Sequence, residues 1–117
     1  MNYLLVFVGG GLGSICRFAI SQLLQRYQLT FPWATLLANA VSCIIFGVVA
    51  QALLKNNLSP SYRFLLLTGF CGGLSTFSAF TNETWVLLQN GSFFYAFTNI
   101  LLNLSVCLFC LYLGMKW

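Results

Sequence analysis

The sequence predicts an all-α membrane protein of four transmembrane helices, the third broken mid-membrane, and three observations carry that expectation. Of the 117 residues, 60% are apolar and only 5% are charged, more apolar surface than a soluble chain of this length could hide. That apolarity comes in four runs, each close to the roughly 20 residues needed to cross a bilayer core. Within the third run, glycines and hydroxyl residues interrupt the apolar pattern. Weak breaks near Arg26–Phe31, Lys55–Ser61 and Gln89–Gly91 set the spans at 2–25, 32–54, 62–88 and 93–115. One membrane domain, 1–117, then takes up the chain, with no soluble domain, linker or charge run.

The first span opens on MNYLLVFVGGG, which has no basic side chain ahead of its apolar run and no small-residue cleavage site. It reads as a permanent span and not a removable signal. Gly9 and Gly13 form a small-xxx-small pair suited to close helix packing, and Arg17 follows at membrane depth. In the second span Thr35 and Asn39 are four residues apart and share a helix face. In the fourth, Asn99, Asn103 and Cys107 do the same. An asparagine inside a membrane either fastens helices or lines a polar path, and spacing leaves both readings open.

The third span contains GFCGGLSTFSAFTNE, Gly69 to Glu83, the least membrane-like stretch of the chain. Gly69 and Gly73 are again a packing pair, but Ser75, Thr76 and Ser78 follow at once, and packing alone does not require them. Glycine tolerates angles that other residues avoid, so a break is expected at Gly72–Ser75. Backbone freed at membrane depth must be covered by protein or line a polar cavity. Such carbonyls can coordinate a cation. Beyond the break Phe77, Phe80 and Thr84 share a face, with Ser78 beside it and Glu83, the only acid, three residues past Phe80. An ionisable group within a span points to function.

Several classes are disfavoured. Five basic residues scattered along the chain, net charge +4, form no nucleic-acid patch. Cysteines 16, 43, 71, 107 and 110 all fall inside spans and are odd in number, so they read as buried small hydrophobes and not as a disulfide framework. There is no histidine, nucleophile–base pair or phosphate loop, so an enzyme is not expected. With four spans, Lys55, Arg63 and Lys116 share one side against Arg26 and the deeper Arg17. That bias is weak and compatible with insertion either way up. A cation path would show rings of carboxylates, whereas here donors dominate, and aromatic ring edges are positively polarised. The residues therefore describe a narrow, donor-lined anion path.

Three segments carry a family resemblance. GGGLGSICRF (Gly9–Phe18), FPWATLLANAVSCIIFG (Phe31–Gly47) and GFCGGLSTFSAFTNE resemble, in order and spacing, the motifs of the small fluoride channels known as Fluc or CrcB. The resemblance implies a fluoride-selective channel exporting fluoride passively from the cytoplasm, in the plasma membrane of a prokaryote (the inner membrane if Gram-negative). It implies an antiparallel, dual-topology dimer, here a homodimer, with a structural sodium ion at its centre. By position, Phe77 and Phe80 match the phenylalanines of the fluoride path, Asn39 its second-helix asparagine, and Ser78 and Glu83 its polar track. Asn103 is the expected fourth-helix pore residue, Arg17 matches a vestibule arginine, and Gly72 and Ser75 match carbonyl donors to sodium. Ser75, Ala79, Ala34 and Ser42 depart from the family pattern; Ala79 removes a hydroxyl from the polar track, while a carbonyl ligand survives the change at Ser75. Two rival classes fit the residues less well. A proton-coupled small multidrug transporter would need a carboxylate in the first span, which carries Arg17 instead. A non-transporting assembly subunit would leave the clustered donors and Glu83 without a purpose.

Overall fold

The computed structural model describes residues 2–27 and 31–116. Residues 28–30, part of the expected first break, lie outside the described residues. The regular elements are all helical: α1 (Asn2–Gln25), α2 (Trp33–Leu54), a π-helical segment (Arg63–Cys71) continued by the single turn α3 (Gly72–Leu74), α4 (Phe77–Gln89) and α5 (Phe93–Met115). Among the described residues, four helical spans are long and apolar enough to cross a membrane, the third running from Arg63 to Gln89 with the break inside it.

Two helix ends show how the chain turns back. After α2, Asn56 takes φ 59°, its N–H reaches Leu53 O at 3.1 Å, and Asn57 N–H reaches Ala52 O at 2.9 Å. After α4, Gly91 takes φ 78°, with Gly91 N–H on Leu88 O at 3.1 Å and Ser92 N–H on Leu87 O at 2.8 Å. Both are left-handed caps that satisfy the last carbonyls of a helix, one built on asparagine and one on glycine.

The break falls at Ser75 and Thr76, slightly later than the glycines suggested. Gly72 is helical, at φ −64° and ψ −33°. Ser75 (φ −80°, ψ 157°) and Thr76 (φ −152°, ψ 126°) are extended. The glycines serve close approach instead of unusual backbone angles. A Cβ on Gly9 would strike the carbonyl of Leu65, one on Gly13 that of Phe70, and one on Gly73 that of Gly10. The first half of the third span therefore lies backbone to backbone against α1. Gly47 and Gly114 do the same for α2 and α5, where an added Cβ would sit 2.6 Å from Leu111 O or 2.5 Å from Ile44 O. The break lets the two halves of the third span choose different neighbours: the first packs mainly on α1, with α2 alongside, and α4 mainly on α5.

The helix exteriors carry Phe7, Ile15, Phe18, Leu101 and Leu108 exposed, as a lipid-solvated surface requires. All five cysteines are free thiols, from exposed Cys16 to buried Cys71 and Cys110.

These contacts make a graded prediction. Gly9→Ala overpacks a backbone contact and is expected to lower stability by about 1–3 kcal/mol. Gly11, with nothing within 4 Å of an added Cβ, is the control; Gly11→Ala is expected to be neutral or to stabilise by up to ~1 kcal/mol. Denaturant titration in detergent followed by circular dichroism measures both, and equal effects would contradict the packing assigned to Gly9.

Candidate functional site

At Ser75–Thr76 the i→i−4 ladder stops inside the membrane span, so other groups must meet the freed backbone. Side chains from α1 and α2 do so. Asn39 Oδ1 accepts from Thr76 N–H at 2.9 Å, and Asn39 Nδ2 donates back to Thr76 O at 3.5 Å. One amide thus replaces both partners that a continuous helix would supply. Arg17 Nε donates to Gly73 O at 3.1 Å. Cys71 O, at the end of the π-helical segment, accepts from Ser75 N–H at 3.0 Å, Ser75 Oγ at 2.8 Å and Ser42 Oγ at 3.0 Å. Thr76 Oγ1 caps α4 by accepting from Ala79 N–H at 3.3 Å. No described residue donates to the carbonyls of Gly72 or Ser75. Gly72 is exposed and Ser75 half-buried, on a hollow of about 320 Å³ that Ser42 and Cys71 also line.

A line of amides leads away from the break. Asn39 Nδ2 donates to Asn103 Oδ1 at 3.1 Å, and Asn103 Nδ2 donates to both Asn99 O and Asn99 Oδ1 at 2.9 Å. Asn99 Nδ2 donates to Thr84 Oγ1 at 2.9 Å, and that hydroxyl donates to Phe80 O at 2.9 Å. Asn99 and Asn103 are buried, as hydrogen-bonded amides in an apolar medium should be.

Glu83 stands apart from this line. Its Oε2 accepts from Thr35 Oγ1 at 2.8 Å, while Oε1 is buried without a partner among the described residues. The α2 face read from Thr35 and Asn39 therefore serves two targets one turn apart, the carboxyl and the break. Phe77 and Phe80 lie with ring centroids 5.6 Å apart at 48°, on an open groove of about 410 Å³ that Thr84, Trp85 and Leu104 also line. Phe77 is 79% exposed, so its ring lies on the outside of this chain. Ser78 is exposed, its hydroxyl 3.4 Å from Thr76 Oγ1.

Most sequence-predicted positions thus gather around one feature. Asn39, Arg17, Gly72, Ser75 and Ser78 lie at the break or bond to it, Asn103 reaches it through Asn39, Phe77 and Phe80 lie just beyond it, and Glu83 one turn further along. Sequence reasoning missed the bond of Ser42 to Cys71 O, since Ser42 drew notice only as a departure from a motif glycine. Its place one turn from Asn39, on a related face, was the available signal. The link from Asn99 to Thr84 needed the packing of α4 on α5.

Comparisons with known proteins agree on one family. The model of the family described as CrcB-like protein, Camphor Resistance (CrcB), matches residues 4–115. A relative from Shewanella baltica (strain OS155 / ATCC BAA-1091), named fluoride-specific ion channel FluC, is 41% identical over 116 residues, covering 98% of this chain and 94% of its own. A protein of the same name from Shewanella oneidensis is 40% identical over 116 residues, with the same coverage.

Asn39→Leu keeps the side-chain bulk but leaves Thr76 N–H without its partner, and is expected to destabilise the protein by about 1–3 kcal/mol. Ser78→Ala removes only an exposed hydroxyl and is expected to change stability by less than about 0.5 kcal/mol. Unfolding titrations of the two variants check the contrast; wild-type stability in Asn39→Leu would mean that the clamp does not hold the break.

Proposed function

The chain belongs to the CrcB-like family, and on that premise we propose that it is a fluoride-selective channel letting fluoride leave the cytoplasm passively across the plasma membrane. One observation carries the reading: a helix break at membrane depth met mostly by neutral donors, with two phenylalanine rings beside it. A small anion needs its water replaced by hydrogen-bond donors, but a full positive charge at close range would trap it. Amide and hydroxyl donors, and the polarised edges of Phe77 and Phe80, are weak enough to release what they bind. The N–H of Asn39 that now makes the long 3.5 Å bond to Thr76 O is the donor most easily redirected to an anion.

Each remaining residue has a part in this reading. Ser78 offers an exposed hydroxyl beside the rings. Glu83, held by Thr35, occupies the polar track where the anion leaves the phenylalanines. Asn103 acts on the path through Asn39, since both of its own N–H groups are engaged by Asn99. Arg17 places positive charge at the mouth of the path while fastening Gly73 O.

The functional unit in this reading is an antiparallel homodimer. The nearly balanced flanking charge and the exposed Phe77 support it, since a ring edge that coordinates an ion needs a second wall. The carbonyls of Gly72 and Ser75 suit a sodium ion shared with the partner chain: they are neutral oxygens without donors, in a setting with no carboxylate beside them to favour a divalent ion. When bound, that ion would supply a fixed positive charge between the pores and satisfy carbonyls that water cannot reach.

Liposomes containing only the purified protein should release fluoride, and not chloride, when a potassium ionophore clamps the voltage. No fluoride flux, or equal chloride flux, would defeat the reading. In the same assay Phe77→Ile and Phe80→Ile keep apolar bulk but lose the polarised edge. Flux should fall about tenfold, as for an ion that loses ~1.4 kcal/mol of stabilisation, and protein prepared without sodium should conduct less than protein prepared with it.

A further inference from the structure

The hydrogen bonds around the break form a directed circuit that starts and ends on the third span. Thr76 N–H donates to Asn39, Asn39 to Asn103, Asn103 to Asn99, Asn99 to Thr84, and Thr84 to the carbonyl of Phe80, each at 2.9–3.1 Å. Its two ends are one helical turn apart, yet the line passes through α2 and α5 between them. An amide can ordinarily be turned end for end with little change of shape, so its direction must come from its neighbours. Here both ends are unambiguous. A backbone N–H can only donate and a backbone carbonyl can only accept, so with the Thr84 hydroxyl donating to Phe80 O the three amides between them all face the same way.

We propose that Asn99 is a positioning residue for the anion pathway, setting the direction in which the amides of Asn103 and Asn39 face. Asn99 is fully buried. It presents two oxygens, its backbone O and its Oδ1, and these hold both N–H groups of Asn103 at 2.9 Å. Asn103 must then turn its oxygen toward Asn39. Thr76 N–H pins Asn39 Oδ1 on the other side, so the NH₂ group of Asn39 faces Asn103 and the break. Without Asn99 Oδ1, Asn103 keeps only the bond from its Nδ2 to the backbone carbonyl of Asn99, so its amide is held at one point where it was held at two, and its bond with Asn39 loosens. Thr84 closes the circuit, since its hydroxyl receives Asn99 Nδ2 and keeps Asn99 from flipping in turn. The proposal rests on the channel reading for its effect on flux, but not for its effect on Asn39.

Two measurements on the full-length protein separate these levels. Asn99→Leu has nearly the volume of the native side chain but no amide; Thr84→Val removes only the hydroxyl, and Thr84→Ser restores it. In lipid nanodiscs, the exchange of the Asn39 side-chain NH₂ protons with water, followed by NMR, should speed up about tenfold in Asn99→Leu and Thr84→Val, the factor expected when one orienting buried hydrogen bond is lost. Exchange should return to the native rate in Thr84→Ser. In liposomes, fluoride flux per correctly folded channel should fall by a similar factor in the first two variants and recover in the third. Native exchange in Thr84→Val, which is conservative enough to fold, overturns the proposal whatever the flux. Faster exchange with native flux overturns it as well, by showing that the aim of Asn39 does not matter to conduction. A wild-type protein that passes no fluoride would sink the channel reading, while the exchange rates would still judge the circuit.

Discussion

Everything near the centre of this protein depends on one constraint: peptide groups released from a helix inside a membrane have no water to bond with. At Ser75 and Thr76 the chain leaves helical geometry and must find other partners. Asn39 supplies both halves of the answer for Thr76, as acceptor and as donor. Arg17 and Ser42 meet the carbonyls of Gly73 and Cys71 from two different helices. The break is therefore a joint held at several points, and shifting it by a residue would misplace each of these partners.

The glycines make this joint possible without forming it. Gly9 and Gly13, with Gly73 facing them, let α1 lie against the backbone of the third span, which brings Arg17 within reach of Gly73 O. On the opposite side, Gly47 and Gly114 bring α2 and α5 together so that Asn39 and Asn103 can meet. Close backbone packing is a familiar source of membrane helix association, where the hydrophobic effect offers little. In this chain it also sets the distances on which the polar groups rely. Packing and polar chemistry are thus not alternative explanations for the small residues.

The chemistry gathered at the joint is mostly neutral. Three amides and several hydroxyls cluster there, with the lone carboxyl kept to one side on Thr35 and a single guanidinium at the end of the first half-helix. In the channel reading such a lining would hold an anion through many weak donors, so that no single site binds too tightly for passage. A proton-coupled exchanger would need its carboxyl at the centre of the path. Here Glu83, the lone acid, bonds to Thr35 outside the circuit of amides.

By itself the sequence determined the number of spans, their helical nature and the site of interest, because apolar run length and the need to satisfy backbone in lipid are local properties. It also marked Asn39, Phe77, Phe80 and Glu83, since polar, ionisable or periodic residues stand out against an apolar background. Only the tertiary structure decided what those residues do for one another. Gly69, Gly72 and Gly73 suggested flexibility at the break, but all three are helical, and Gly69 and Gly73 serve approach to α1, because the space around a missing Cβ is set by a neighbouring helix. Asn99 and Thr84 sit fifteen residues apart on different helices, and no spacing rule foretells that one hydroxyl would link an amide to Phe80 O. Hydrogen-bond direction passes through partners from α2, α4 and α5 together, so it exists only once all three are in place.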